Sequence, residues 1–155
     1  MARQRTFISL ILVLLATFLI SCGGPSVATP PPTYTQAQLQ KIDEYKTDII
    51  AVRERAPELE NLIAEKDWIK VGNFIHGPMA EARLDMTYIV ANLLPKEQAA
   101  ARKVSRDVFD HLVKIDQAAT AGNASIAYTN YQAAYADFDK FLQLLPQKSS
   151  TPEEA

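Results

Sequence analysis

The sequence predicts an all-α fold: an up-down-up-down four-helix bundle preceded by a signal peptide and a proline-rich tether. Three observations support this prediction. Apolar residues recur every three or four positions from about residue 35 to residue 146, without the alternation typical of strands. The turns between these periodic segments are short, so neighbouring helices are expected to run antiparallel. The first 21 residues have the charge and hydropathy pattern of an export signal.

The N-terminal segment predicts a lipoprotein signal peptide over residues 1–21. Arg3 and Arg5 precede an apolar run that ends in Leu19-Ile20-Ser21-Cys22. That ending predicts cleavage before Cys22, the only cysteine of the chain, followed by its lipidation. The alternative is a transmembrane anchor with an incidental thiol, but the run is shorter than the roughly 20 residues needed to span a bilayer. We therefore expect Cys22 to attach the protein to a membrane through lipid.

Composition divides the rest of the chain into three parts. Residues 22–34 are rich in proline and glycine and predict a lipidated tether that is partly polyproline II. Residues 35–146 are the predicted bundle, and residues 147–155 form a polar tail that we expect to be disordered. Because the single cysteine is assigned to lipid, the stability of the bundle is expected to come from a packed core.

The first two predicted helices each contain an internal break. Thr35 is the expected N-cap of the first helix, and Asp67 is the expected N-cap of the second. Pro57 predicts a kink or a short break in the first helix, since proline removes a hydrogen bond to the preceding turn. Gly77-Pro78 predicts a similar break in the second helix.

The last two predicted helices are joined by a tight turn. Pro95 is expected at the first position of the third helix, which runs to about Ala121 and is followed by the turn Gly122-Asn123. The fourth helix ends at Pro146 and has an apolar stripe of Tyr128, Tyr131, Tyr135, Phe138, Leu142 and Leu145. We expect this stripe to be core, with the tyrosine hydroxyls at the rim of the bundle, rather than a pigment or quinone site.

Charge and motif content exclude two classes of function. Removing Arg3 and Arg5 leaves 14 basic residues against 18 acidic ones, a net charge near −4, which argues against a nucleic-acid partner. The sequence has no glycine-rich phosphate loop, no Gly-x-Ser-x-Gly elbow and no Glu-x-x-His pair of the kind that binds iron in bundles. We therefore expect a binding protein and no enzyme, without an intrinsic cofactor.

Three groups of side chains remain as candidate sites. Asp107 and His111 share a helix face and are a candidate pair of ligands for a weakly bound divalent metal ion, although a surface ion pair explains them equally well. His76 lies beside the predicted break at Gly77, where we expect it to bond a freed carbonyl. Four basic residues near the start of the third helix form a candidate partner-docking cluster, with a solvated face as the alternative: Lys96, Arg102, Lys103 and Arg106.

The ordered motifs resemble those of the cyanobacterial PsbQ family. The stretches that carry the resemblance are D-W-I-K-V-G-N-F-I-H-G-P-M (67–79), L-L-P-K (93–96), V-F-D-H-L (108–112) and Y-A-D-F-D-K-F-L-Q-L-L-P (135–146), behind the lipidation signal and the tether. Together they cover nearly all of residues 34–146. Pro57 is a local departure that the family pattern does not explain.

The resemblance implies an extrinsic lipoprotein subunit of photosystem II on the lumenal side of the thylakoid membrane. Such a subunit would contact the photosystem II core and its other extrinsic lumenal subunits, stabilise the oxygen-evolving complex, and help to retain the calcium and chloride of the manganese cluster. The resemblance also implies a four-helix bundle and allows a divalent metal at the surface. The alternative is an exported lipid-anchored bundle that binds a metal or a small ligand.

Overall fold

Six α-helices form four helical rods in the part of the chain that the structure describes. The computed structural model describes residues 32–147. The helices are α1 (Gln36–Glu54), α2 (Ala56–Glu65), α3 (Trp68–His76), α4 (Pro78–Asn92), α5 (Pro95–Thr120) and α6 (Ala124–Gln143). The first rod consists of α1 and α2, the second of α3 and α4, and α5 and α6 are the third and fourth. The predicted all-α class is confirmed.

Several predictions fall outside the described residues. These are the signal peptide (1–21), the lipidation site Cys22, most of the tether (22–34) and the tail from residue 148 onwards. Within residues 32–147, no helix is both long enough and apolar enough to cross a bilayer.

The predicted N-caps are confirmed. The Thr35 hydroxyl accepts the backbone N–H of Gln38 at 3.2 Å, and the Gln38 side-chain oxygen accepts the N–H of Thr35 at 3.0 Å. These two bonds form a capping box, which satisfies N–H groups that have no partner within the helix. The Asp67 carboxylate accepts the N–H of Lys70 at 3.2 Å and starts α3 in the same way.

Proline sets both internal breaks. Pro57 lies in the first turn of α2, and Pro78 is the first residue of α4, positions where the missing N–H costs no helical hydrogen bond. Gly77 joins α3 to α4, and a Cβ atom there would lie only 2.9 Å from the Asn73 carbonyl oxygen. The kink or short break predicted near Pro57 is found as a break at Arg55, and the break predicted at Gly77-Pro78 is found at Gly77.

Contacts between the helices define an antiparallel ring. In the first pair of rods, α1 packs on α4 and α2 packs on α3, so the start of one rod meets the end of the other. The second rod contacts α5, α5 makes its most extensive contact with α6, and α6 returns to α1 and α2. This is the up-down-up-down arrangement expected from short connections.

The core lies along the axis of this ring. Its largest fully buried side chains include Ile49, Leu59, Met86, Ile115 and Phe138. Two details differ from the predicted stripe of the fourth helix. Tyr128 is 40% exposed and lies at the rim, while Phe141, which the stripe omitted, is fully buried. An α-helix falls about 20° short of two full turns every seven residues, so a stripe with a spacing of about 3.5 residues drifts around the helix and its first residue leaves the core.

Tyr34 ties the segment before α1 to the turn between α4 and α5. Its hydroxyl donates a hydrogen bond to the Glu97 carboxylate and accepts the backbone N–H of Leu94 at 3.4 Å. Near this contact, in the first turn of α1, the Gln38 side-chain amide donates a hydrogen bond to the Asn92 carbonyl at 3.3 Å. Burial and the Glu97 carboxylate raise the pKa of Tyr34 to about 12, so the donated proton stays in place at neutral pH.

Candidate functional site

The four basic residues of the predicted docking cluster have different surroundings. Lys103 Nζ lies 2.6 Å from Asp107 Oδ2, and Lys96 Nζ lies 4.0 Å from Glu97 Oε1. Arg102 and Arg106 make no ion pair with any carboxylate of the described residues. The two lysines therefore lie within 4.0 Å of a carboxylate on their own helix, whereas the two arginines do not.

Arg102 and Arg106 instead line a groove of about 280 Å³ between α4 and α5, which we call the α4–α5 groove. Its walls are side chains spaced three or four residues apart, which places them on one face of each helix. The lining residues are Arg83, Thr87, Val90 and Ala91 from α4 and Arg102, Ser105, Arg106, Phe109 and Asp110 from α5.

Arg83 is a member of this groove that the sequence reasoning missed. Its guanidinium carbon lies 5.4 Å from the centre of the Phe109 ring, a cation–π contact across the two helices. Like Arg102 and Arg106, it makes no ion pair with a carboxylate in residues 32–147. The signal was present, because the tight turn at Leu93-Leu94 brings residues at similar distances before and after it close together.

The candidate metal ligands Asp107 and His111 have separate partners. Asp107 is paired with Lys103, which lowers the pKa of the Asp107 carboxyl below its ordinary value. His111 faces α6, with Nδ1 3.1 Å from Asn130 Oδ1 and Nε2 3.7 Å from Asp137 Oδ2. Among the described residues, no group of three or more His, Cys, Asp or Glu side chains is placed to hold a metal ion. A divalent ion at Asp107 and His111 stays a prediction.

His76 has a different partner from the one expected. Its Nε2 atom lies 3.3 Å from Asp116 Oδ1 on α5, at the surface of the bundle. Of the carbonyl groups beside the break, that of Asn73 accepts the Gly77 N–H at 2.9 Å and that of Gly77 accepts the Ala80 N–H at 2.9 Å. The expectation that His76 bonds a freed carbonyl was therefore wrong.

A second cluster, the tyrosine face, forms where α6 meets α1 and α2. The rings of Tyr128, Tyr131 and Tyr135 follow one another with centres 5.9 Å and 4.9 Å apart. Tyr128 and Tyr131 donate hydrogen bonds to the two carboxylate oxygens of Glu60 at 3.1 Å and 3.3 Å. The rings of Tyr131 and Tyr135 are buried, as predicted for a core stripe.

The hydroxyl of Tyr135 differs from the prediction that it reaches the rim. It is buried and has no hydrogen-bond partner in the described part of the chain. Burial raises the pKa of Tyr135 well above its ordinary value, and burial together with Glu60 raises the pKa of Tyr131 to about 12. Both phenols are therefore neutral at physiological pH, but only Tyr131 donates a hydrogen bond, while Tyr135 acts through packing alone.

An arginine also covers the tyrosine face, but it is fully paired. Arg53 donates to both carboxylate oxygens of Asp139, at 2.6 Å and 2.9 Å, and its guanidinium carbon lies 5.4 Å from the centre of the Tyr135 ring. The hydrogen bonds from Arg53 lower the pKa of Asp139. Such a bidentate pair is internally satisfied and leaves little for another molecule to bind.

These features define the class of the protein as a helical bundle with a packed apolar core and a basic groove at its surface. Comparison with known proteins gives the family. Residues 2–146 match the model of the PsbQ family, described as oxygen evolving enhancer protein 3. The chain is also 42% identical over 150 residues to CyanoQ from Synechocystis sp., covering 96% of this chain and all of that protein.

The chain belongs to the PsbQ family. It is accordingly a non-catalytic extrinsic subunit associated with photosystem II at the thylakoid, an oxygen-evolving enhancer protein. The resemblance stated from the motifs and the prediction that the chain is no enzyme are both confirmed.

Proposed function

We propose that the protein is a lipid-anchored subunit on the lumenal side of the thylakoid membrane. There it stabilises the protein cap over the manganese–calcium cluster and helps to retain calcium and chloride. The observation that carries the proposal is the family match, which spans residues 2–146 and so covers the whole bundle. The protein contributes contacts and no chemistry, in line with its membership of a family of non-catalytic subunits.

The direct test of this proposal is co-purification. A tag placed after Ala155 should recover photosystem II core subunits and the other extrinsic subunits from mildly solubilised membranes. A matched strain with the same tag on an unrelated exported lipoprotein controls for trapping. Recovery of the tagged protein without photosystem II would contradict the proposal.

The ion-retention part needs its own measurement. Membranes from a strain that lacks the protein should lose more oxygen evolution than wild-type membranes when calcium or chloride is left out of the medium. Restoring the gene should reverse the difference. Equal rates in depleted medium for both strains would show that the protein does not help to retain either ion.

The membrane anchor is proposed to be lipid on Cys22. Two acyl chains on a thioether-linked diacylglycerol suffice for stable anchoring, where a single chain is marginal. Cys22→Ser should therefore release the protein from membranes in a mild salt wash that leaves the wild type bound. If the variant is retained as well as the wild type, lipid is not the anchor.

Docking is proposed to involve the basic cluster Lys96, Arg102, Lys103 and Arg106. Support comes from Arg102 and Arg106, which carry unpaired positive charge in a chain whose net charge is −2. Surface cations of this kind steer encounter with an acidic partner and respond to salt. In the full chain carrying Cys22→Ser, so that lipid does not mask the effect, the change Arg102→Glu with Arg106→Glu should weaken attachment to photosystem II membranes.

The matched control for this docking test is Lys114→Glu with Lys140→Glu. It makes the same change in net charge at two other exposed lysines of α5 and α6. Equal retention of the arginine double variant and the wild type across a salt series would place the docking face elsewhere on the bundle.

A further inference from the structure

We propose that the α4–α5 groove binds an acidic segment of a partner polypeptide, in which carboxylates flank an apolar side chain. This deepens the proposed function and rests on it, since the partner is then a component of photosystem II. It also changes which residues make up the proposed docking surface. Arg83 and Phe109 are now included, whereas Lys96 and Lys103 are not.

Three arginine residues from two different helices line the groove. Arg83 comes from α4, and Arg102 and Arg106 come from α5, one helical turn apart. None of them is paired with a carboxylate of residues 32–147. Each planar guanidinium can donate two parallel hydrogen bonds to a carboxylate, a geometry that lysine does not offer.

The Arg83 side chain is positioned by Phe109 before any carboxylate binds. Its guanidinium lies against the face of the Phe109 ring, so the side chain is restrained before a ligand arrives. Stacking on a ring uses the face of the guanidinium and leaves the N–H groups at its edge free to donate. Restraint before binding reduces the entropy that association must overcome.

The wall between the arginines is apolar. Val90 is almost fully buried at the base of the groove, Ala91 lies beside it, and the Phe109 ring forms part of the opposite wall. An occupant that carried only negative charge would leave these surfaces facing water. An acidic segment with an apolar side chain between its carboxylates covers both parts of the groove, which favours a polypeptide over a free phosphate.

The size and charge of the groove further limit which ligand it can bind and where the ligand carboxylates lie. A volume of about 280 Å³ is slightly below the range of roughly 300–1,000 Å³ typical of small-molecule pockets, and suits one or two protein side chains. Asp110 is eight residues from Arg102 along α5, about 12 Å at 1.5 Å per residue. Asp110 is also one helical turn from Arg106, so its carboxylate repels an acidic segment at the Arg106 end of the groove, and the ligand carboxylates are expected on the side of Arg106 that faces Arg102.

The first test measures attachment to photosystem II membranes that lack this subunit, using the full chain with Cys22→Ser. Arg83→Glu and Arg106→Glu should each weaken binding by about tenfold or more, since reversal of one interfacial charge removes an attraction and adds a repulsion. Lys103→Glu and Lys114→Glu, which make the same charge change on α5 outside the groove, should weaken it by less than about threefold, because exposed rim charges contribute little. Circular dichroism checks that each variant is folded. If Arg83→Glu is not folded, Arg83→Ala replaces it.

The variants separate the groove from the four-residue cluster. If Arg83→Glu binds like the wild type, or if Lys103→Glu weakens binding as much as Arg106→Glu, the groove is not the docking site, while the association with photosystem II stands. If the wild type itself does not bind these membranes, the proposed function fails, and the second test decides the groove independently.

The second test uses a defined probe and no photosystem. The peptide acetyl-Glu-Phe-Glu-amide is titrated into the ¹⁵N-labelled full chain carrying Cys22→Ser, in mild detergent, with acetyl-Gln-Phe-Gln-amide as the control. Saturable amide shifts around Arg83, Thr87, Ser105 and Arg106 with the acidic peptide alone support the proposal. If the acidic peptide causes no saturable shifts, the proposal is overturned. The same shifts with inorganic phosphate or phosphatidylglycerol vesicles, but not with the peptide, also overturn it in favour of a phosphate-bearing ligand.

Discussion

Arginine stacks on an aromatic ring at three places in residues 32–147, and two of these contacts have the same distance but different consequences. On the tyrosine face, Arg53 lies 5.4 Å from the Tyr135 ring centre and is bound by both oxygens of Asp139. In the α4–α5 groove, Arg83 lies 5.4 Å from the Phe109 ring centre and has no carboxylate partner in residues 32–147. In the first arrangement the arginine charge is paired within the protein and supports the fold. The second leaves its charge available to another molecule.

This comparison teaches that a stacked arginine is not in itself a functional sign. What separates the two places is whether the bundle supplies the counter-charge. A charge that is already paired contributes modestly to stability, and an unpaired exposed one contributes almost nothing. Substitutions on the two faces should therefore affect different measurements.

The largest expected effect is on the free energy of unfolding, and it compares an aromatic residue behind the tyrosine face with one in the groove. Phe138 is fully buried behind the tyrosine face, so Phe138→Ala should lower the free energy of unfolding by about 3–5 kcal/mol. Phe109 in the groove is only partly buried and serves as the control. Phe109→Ala should cost clearly less, as measured by chemical denaturation. A loss below 1 kcal/mol for Phe138→Ala would mean that the tyrosine face does not cover the core.

The next effect concerns the two buried tyrosines and has opposite signs. The Tyr135 hydroxyl is buried without a partner, so Tyr135→Phe should raise the free energy of unfolding by about 1 kcal/mol. Tyr131→Phe removes a hydrogen bond to Glu60 and should lower it by about the same amount. Denaturation midpoints of the two variants measure the difference. A destabilising Tyr135→Phe would show that this hydroxyl has a partner after all.

The third effect tests the paired arginine. Asp139→Asn should cost only about 0.5–1 kcal/mol, since both side chains of the pair are partly exposed. Because Arg53 lowers the pKa of Asp139 in the folded state, this stability is present above the ordinary pKa of 3.8 and is lost as pH falls below it. Wild type and variant should therefore differ at pH 7, and the difference should shrink as the pH falls below 3.8 and the Asp139 carboxyl takes up a proton. A difference that does not change with pH would contradict the ion pair.

The smallest effect is expected in the groove. Arg106→Ala removes an exposed, unpaired side chain and should change the free energy of unfolding by less than about 0.5 kcal/mol. Denaturation at low and at high salt should give the same result. A larger loss of stability would mean that Arg106 has a structural role, and the contrast between the two faces would fail.

The parts of the fold that follow local rules were predictable from the sequence. Thr35 and Asp67 cap helices because their short oxygens reach a nearby N–H, and Pro57 and Pro78 break helices because of their own rings. The buried positions of the long helices followed from their spacing. Tyr128 did not, since whether the end of a stripe reaches the core depends on how neighbouring helices cover it.

The site residues were predictable only in part, because they depend on contacts between distant segments. Arg102 and Arg106 were found as a local cluster, but Lys103, beside Arg102 in the chain, points to Asp107 instead of the groove. Arg83 lies on another rod and could be placed only by folding the chain back at Leu93-Leu94. The pairing of Arg53 with Asp139, 86 residues apart, likewise requires the complete ring of rods.

Tyr34 also has a mechanical consequence. A pull along the chain from its N-terminal side reaches the bundle at Tyr34, where the hydroxyl bonds to Glu97 and Leu94. The neighbouring bond from Gln38 to Asn92 spans the same boundary. Because these bonds link the start of the first rod to the turn between the second and third, they bear the load together. Tension is thus spread over three rods instead of unwinding α1 turn by turn.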